Sequence, residues 1–164
     1  MEQFAIFQQG NSIGTLSVER EGLFYHFGCD ISSRQVLRIF VVSGWKSHYL
    51  GIPYPQEKGA HLDARIACSH FPDGISGAVA SIYPKGQWQP WCGELDGVAI
   101  ADALISEERV LALSPDEALK LPGWLAYMQE ETVYEQPRML LPLDADGTPL
   151  APEMQDAASP ESEQ

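Results

Sequence analysis

Residues 15–27 read TLSVEREGLFYHF, and this stretch decides the fold class. Leu16 and Val18 are separated by polar side chains, which is the two-residue period of a half-buried strand. Gly22 can take the positive φ that a tight turn requires. After the turn, apolar side chains recur at every second position: Leu23, Tyr25 and Phe27. The pattern predicts an antiparallel hairpin with one apolar face.

The same pattern continues through the first half of the chain. Further strands are predicted at residues 4–8, 35–42, 45–52, 61–70 and 77–83, with a turn at Ser43-Gly44. No helical segment separates them, so successive strands are expected to pair antiparallel rather than through helical crossovers. We therefore predict a mainly β protein, a single-domain antiparallel meander barrel or sandwich over residues 1–150.

The second half predicts one or two short helices after residue 114. Ser114 is placed to cap a helix, Pro115 suits its first position, and Glu117 follows at the third. The helix is expected to reach residue 120 or 121, and a second helical turn is expected within residues 122–128. Strands are predicted within residues 98–113 and at 138–143. Residues 151–164 are small, polar and acidic, and predict a disordered acidic tail.

Composition excludes several classes of function. The chain has 164 residues, with 23 acidic and 10 basic side chains and a formal net charge of -13. This charge argues against binding to nucleic acid or to an anionic membrane surface. The sequence shows neither a signal peptide nor an apolar run long enough to span a bilayer, and its three cysteines have no paired spacing. We therefore expect a cytoplasmic protein with free thiols.

One group of residues is a weak candidate for a metal site. It consists of His61, Asp63, Cys68 and His70. Zinc sites commonly use paired short-spaced ligands, and this spacing does not match them. We therefore predict no metal and no cofactor, and keep a small metal-dependent or thiol enzyme built on this cluster as the alternative function.

Catalytic motifs give no further lead. The chain contains no G-x-S-x-G elbow, no glycine-rich phosphate loop and no H-E-x-x-H sequence. Cys92 is interpreted as the most accessible thiol because it follows Trp91 in an apparent loop. The neighbouring acids Glu94 and Asp96 would raise its pKa and so lower its reactivity. No catalytic residue can be assigned from these patterns.

Aromatic side chains in proline-bounded segments provide the leading hypothesis. Trp88 and Trp91 lie in KGQWQPWCGELDGV (residues 85–98), interpreted as a loop, and Tyr54 lies in a second loop, IPYPQEKG (residues 52–59). Exposed tryptophan and tyrosine give large, rigid contact area. We predict a non-enzymatic interaction or regulatory module that binds an unidentified protein or small ligand through Tyr54, Trp88 and Trp91. A homo-oligomer formed through an exposed strand is also compatible with the sequence.

Overall fold

The chain is built almost entirely of β-strands. The computed structural model describes residues 1–84, 86–144 and 146–150, and in them thirteen strands form. In chain order these are β1 (Glu2–Gln8), β2 (Asn11–Glu21), β3 (Phe24–Ile31), β4 (Arg38–Ser43), β5 (Lys46–Gly51), β6 (Tyr54–Gln56), β7 (Gly59–Ala67), β8 (Gly77–Ser81), β9 (Trp88–Leu95), β10 (Val98–Ser106), β11 (Val110–Leu113), β12 (Gln129–Val133) and β13 (Gln136–Pro142). The predicted mainly β class is confirmed. The tail predicted at residues 151–164 lies outside the described residues.

Three short helical segments complete the described part. They are α1 (Pro115–Ala118) and 3-10 turns at Cys68–His70 and Pro122–Tyr127. α1 begins as predicted, since the Ser114 hydroxyl accepts a hydrogen bond from the Glu117 amide at 3.3 Å. It ends at Ala118, earlier than predicted. The Leu121 amide donates to the Ala118 carbonyl, so the chain has already tightened to a three-residue spacing before Pro122.

Eight strands form the larger sheet, in the order β5-β4-β8-β1-β2-β3-β7-β6. The hairpin predicted from residues 15–27 is its centre, with Leu16 paired to Cys29 and Val18 to Phe27. The turn lies one residue later than predicted, so Leu23 is in the turn and 76% exposed instead of facing the core. All neighbouring strands are antiparallel except β1 and β8, which pair in parallel. β1 and β8 are far apart in the sequence, and the alternation of side chains along each strand does not show that the two strands pair.

The two outermost strands of this sheet are joined by only two residues. β5 ends at Gly51 and β6 begins at Tyr54, so three peptide steps of about 3.8 Å hold these ends within about 11 Å. The sheet must therefore curl until its two ends meet. A methyl group on Gly51 would lie 3.2 Å from Leu62 Cδ2 in β7, which shows how closely they approach. We call this meeting line, where the described residues form no strand ladder, the seam.

Five strands form the smaller sheet, in the order β12-β13-β11-β10-β9. β9 occupies residues 88–95, so the prediction that this segment is a loop is wrong. Pro90 cannot donate a hydrogen bond to a strand ladder. β9 lies at the edge of its sheet, where proline is tolerated. As a consequence Trp88 and Trp91 are strand residues.

The hydrophobic core has two main parts, one on each side of the larger sheet. β4 contributes to both, which explains its continuous apolar run. Phe40 and Val42 face the smaller sheet, while Ile39 and Val41 face the interior of the curl. Burial on both faces is typical of a central strand. The curled sheet is therefore filled inside and covered outside by the second sheet.

Glu117 joins α1 to the smaller sheet. β10 has a register irregularity between Ile100 and Ala103, so its ladder is interrupted there. The Glu117 carboxylate accepts hydrogen bonds from the amides of Ala101 at 2.8 Å and Asp102 at 3.1 Å. Glu117 is only 8% exposed, so these donors have little access to water.

We predict that Glu117→Ala lowers the free energy of unfolding by about 2 kcal/mol, because it leaves two poorly solvated amides without an acceptor. Asp116→Ala, which removes the adjacent exposed carboxylate, should cost less than about 1 kcal/mol. Urea unfolding followed by circular dichroism measures both. Equal losses in the two variants would contradict this role for Glu117.

Candidate functional site

Trp91 belongs to the core. It is 2% exposed, and its indole nitrogen donates a hydrogen bond to the Gly44 carbonyl at 2.9 Å. Its ring stacks on Trp45 with the centroids 5.0 Å apart. The prediction that Trp91 lies on a contact surface depended on the interpretation of its segment as a loop. In β9 its side chain instead connects the smaller sheet to the turn between β4 and β5.

Trp88 and Tyr54 are also far from forming one surface. Trp88 is half-buried against a small cluster containing Leu104, Ala112 and Val133. Tyr54 is 75% exposed at the seam. Of the three aromatic residues predicted from sequence, Tyr54 alone has the exposure that a docking surface needs.

A groove surrounds Tyr54 at one end of the seam. We call it the seam groove, and its volume is about 490 Å³. It is lined by Arg34, Gln35, Val36, Tyr49, Ile52, Pro53, Tyr54, Pro55 and Leu62. The sequence patterns did not point to Val36 or Tyr49, because both fall in segments predicted as strands, residues 35–42 and 45–52. The proline-bounded segment IPYPQEKG was the available signal for Ile52.

A second, larger cleft continues from the seam groove. Its volume is about 820 Å³, and Tyr49 lines both spaces. We call it the β5 cleft because β5 forms one wall, from Lys46 to Tyr49. The turn Glu107–Glu108–Arg109 also lines the cleft, as do Ile66 and Phe71. Together the two spaces follow β5 for most of its length.

The predicted metal cluster is divided by the fold. β7 ends at Ala67, so Cys68 and His70 lie in a 3-10 turn and not on the predicted strand. The Cys68 amide donates to the Leu23 carbonyl in continuation of the β3–β7 ladder, and the chain then turns as the Phe71 amide donates to the Cys68 carbonyl. His61 and Asp63 remain together on β7. The four residues therefore do not converge, and among the described residues no group of three or more metal-ligating side chains can hold a metal ion.

His61 is held between two carboxylates. Its Nδ1 lies 2.7 Å from Asp30 Oδ1, and its Nε2 lies 2.9 Å from Asp63 Oδ2. Asp30 is the direct cross-strand partner of His61 on β3, which places both side chains on one face. The sequence missed Asp30 because strand pairing was unknown, although its alternation with Cys29 marked it as outward-facing.

The network extends to a second histidine. His26 Nε2 lies 3.5 Å from Asp63 Oδ1, and His26 Nδ1 lies 3.5 Å from Glu21 Oε1. Carboxylates and imidazoles therefore alternate across the outer face of β3 and β7. Gly28 lies opposite Asp63 and has no side chain, which leaves space for the diagonal contact from His26.

Hydrogen bonds to Asp30 and then to Asp63 raise the pKa of His61 above its ordinary value of 6.5. The hydrogen bond from His61 lowers the pKa of Asp63 below 3.8. An imidazolium that donates from both ring nitrogens has no free lone pair for a metal or for a substrate proton. This arrangement is suited to an ion-pair network rather than to general-base catalysis.

The buried thiols are poorly suited to nucleophilic chemistry. Cys92 is 5% exposed, which contradicts its interpretation as the most accessible thiol. Burial raises the pKa of Cys92 to about 11 and that of Cys29 to about 12. A neutral thiol is a weak nucleophile, so neither residue has the activated thiolate that thiol enzymes use.

We predict that Trp91→Ala lowers the free energy of unfolding by about 3–5 kcal/mol, because it creates a cavity and leaves the Gly44 carbonyl without its donor. Tyr54→Ser should change it by less than about 0.5 kcal/mol, as for an exposed side chain. Urea titration measures both variants. A Trp91→Ala protein as stable as the wild type would contradict the core position of Trp91.

We predict that His61 titrates above pH 6.5 in a histidine NMR titration. A raised folded-state pKa stabilises the protein fully below the ordinary pKa and loses this effect as the pH rises through the raised value. The lowered pKa of Asp63 adds stability that is present above about pH 4 and lost as the pH falls further. The network is therefore strongest between about pH 4 and pH 6.5.

The melting temperature tests the same effect. Between pH 6 and pH 9 it should fall more for the wild type than for His61→Gln. His70→Gln serves as the control, because His70 lies outside the network, and it should follow the wild type. A His61 that titrates at or below pH 6.5 would show that its hydrogen bonds to Asp30 and Asp63 do not stabilise the charged imidazole.

Comparison with known proteins adds no functional information. No family model matches the chain, and neither the curated proteins nor the solved structures contain a match. No helix in the described residues is long and apolar enough to cross a membrane.

Proposed function

We propose that this protein is a non-enzymatic interaction module that binds an extended segment of a partner protein in the seam groove. One observation carries the proposal. Nine large hydrophobic side chains are exposed in the described part of the chain, and four of them, Val36, Tyr49, Ile52 and Tyr54, line this one groove. Exposed apolar residues scattered singly are ordinary, whereas a cluster of this kind marks an interaction surface.

The groove has the chemistry of a peptide-binding surface. Two tyrosine rings provide large contact area with little conformational freedom to lose. Pro53 and Pro55 restrict the backbone between them, which lowers the entropy cost of binding. Arg34 at the rim can donate to a carboxylate or carbonyl of the partner. Tyr54 is so exposed that a small ligand would leave much of the groove in water, whereas an extended segment would cover it.

The alternative, a small metal-dependent or thiol enzyme, has less support. It needs His61, Asp63, Cys68 and His70 to converge, and they lie in two separate places. The interaction proposal needs only the exposed residues of the seam. We further propose that the protein acts in the cytoplasm, which its three free cysteines support.

We predict that Tyr54→Ser combined with Ile52→Ser reduces retention of the partner at least ten-fold, since these side chains supply exposed apolar area in the groove. Leu23→Ser is the matched control, because Leu23 is 76% exposed against 75% for Tyr54 but lies in a distant turn. Retention is measured by affinity purification from cells that express the protein. The free energy of unfolding should stay within about 0.5 kcal/mol for Leu23→Ser and fall by about 1 kcal/mol for the double variant, because Ile52 is only 38% exposed.

Site-specific photocrosslinking identifies what occupies the groove. A benzophenone side chain placed at position 54 should crosslink to one segment of a partner protein, and the same group at position 23 should not. Mass spectrometry of the crosslinked peptide locates the segment. Equal crosslinking at both positions, or a crosslink from position 54 to a second copy of this chain, would overturn the proposal of a separate partner.

A further inference from the structure

We infer that the segment bound in the seam groove is proline-rich, adopts the polyproline II conformation, and carries a carboxylate that pairs with Arg34. The inference rests on the proposed function and deepens it, because it names the chemistry of the partner segment. Three features of the groove support this chemistry: the close approach of the strands beside it, its unused hydrogen-bond donors, and its one cationic side chain.

The strands beside the seam groove leave no room for a strand added between them. A methyl group on Gly51, at the end of β5, would lie 3.2 Å from Leu62 Cδ2 of β7. Further along β5, the His48 ring packs edge-on against Phe71 with the centroids 4.8 Å apart. β6 has only three residues, and its Pro55 has no amide hydrogen to donate. The groove therefore recognises its partner through side chains and not through a backbone ladder.

A polyproline II segment suits recognition by side chains. It has three residues per turn, makes no internal hydrogen bonds and keeps its backbone solvated, so it needs no strand edge. Proline-rich segments of this kind dock into grooves lined by aromatic rings, which Tyr49 and Tyr54 provide here. Val36 and Ile52 add exposed apolar area beside these rings. Because the free segment already adopts this conformation, binding costs it little conformational entropy.

Hydrogen bonding also favours proline in the partner segment. Side chains that carry hydrogen-bond donors line the groove at four positions: Arg34, Gln35, Tyr49 and Tyr54. None of these side chains forms a hydrogen bond within the described residues. A proline-rich backbone offers carbonyl acceptors and few amide donors, so it matches a surface that is rich in donors.

Charge adds a carboxylate to the segment. Arg34 is exposed, forms no ion pair within the described residues, and is the one charged residue among those that line the groove. A guanidinium binds a carboxylate through two parallel hydrogen bonds. The net charge of -13 repels acidic partners, but salt screens this repulsion beyond about 8 Å and weakens a partly buried contact pair much less. One carboxylate opposite Arg34 is therefore favoured, and a long acidic run is not.

The probe for this inference is a library of random twelve-residue peptides displayed on phage and selected on the full-length protein. The enriched peptides should contain prolines three residues apart, which lie on one face of a polyproline II helix, and an aspartate or glutamate. The same peptides should be lost when the selection is repeated on the double variant Tyr54→Ser with Ile52→Ser. Enrichment of no peptide, or of peptides without proline, would overturn the inference.

Replacement of the prolines tests the conformation of the bound segment. A synthetic copy of the strongest peptide should bind about ten-fold more tightly than a copy with alanine in place of its prolines, because alanine adds backbone freedom and amide donors. Fluorescence anisotropy of labelled peptides measures both affinities. Equal affinities would refute the polyproline II conformation.

Charge reversal on both partners tests the pair with Arg34. Arg34→Glu should weaken the selected peptide about five-fold or more, and a lysine in place of the peptide's carboxylate should recover most of this loss. Arg20→Glu is the matched control, because it makes the same change in net charge at an exposed position outside the groove, and it should cost clearly less. Equal losses in the two variants, or no recovery with the lysine peptide, would overturn this part.

The outcomes separate this inference from the proposed function. Peptides that require Tyr54 and Ile52 but show no preference for proline would refute the inference and leave the seam groove as the binding site. Proline-rich peptides that bind the double variant unchanged would refute the seam groove as their site, and with it both proposals.

The chain's own carboxyl-terminal sequence provides a further probe. A synthetic copy of residues 149–164 contains Pro149 and Pro152, three residues apart, followed by Glu153. It should bind more weakly than the selected peptides if the groove serves a separate partner. Binding as tight as theirs, lost in the double variant, would identify this chain or a second copy as the occupant and overturn the proposal of a separate partner.

Discussion

The short link of Ile52 and Pro53 is the constraint on which the rest of the structure depends. It ties β5 to β6, the two outermost strands of an eight-stranded sheet, and so forces the sheet to curl until its ends meet. The curl creates an enclosed apolar interior, which the alternating side chains of β2, β3 and β4 fill. The two ends of the sheet meet at the seam, where the described residues form no ladder between them. β6 is too short to cover β7, so backbone groups and apolar side chains remain open at one line on the surface.

The second sheet fixes the position of the turn that leads into β5. Trp91 donates to the Gly44 carbonyl and stacks on Trp45, and both contacts fall at the turn between β4 and β5. Gly147 approaches so closely that a methyl group there would overlap the Trp45 ring. β5 is therefore anchored at its start by the smaller sheet and at its end by the link to β6. A strand held at both ends has little freedom to move relative to the two sheets.

A network of carboxylates and imidazoles lies on the outer face of the larger sheet. The network of Glu21, His26, Asp63, His61 and Asp30 crosses the outer face of β3 and β7 and ties these strands together through ion pairs. Tyr54 is the cross-strand neighbour of His61 on β6, so the network ends beside the seam groove. Ion pairs on an exposed face add little stability individually. The register of β7 next to the strand that carries Tyr54 is set by the backbone ladders with β3 and β6.

The sequence by itself determined the class of fold, the central hairpin, the cap of α1 and the negative charge, because these depend on neighbouring residues and on composition. It also pointed to Tyr54, in the proline-bounded segment IPYPQEKG, as a candidate contact residue. The tertiary structure alone decided that Trp91 is buried, that β7 ends before Cys68, and that Asp30 meets His61. It also decided that Val36 and Tyr49 join Tyr54 at the seam. The physical reason is that strand pairing joins residues far apart in sequence: periodicity tells which way a side chain faces along one strand, but not which strand lies opposite.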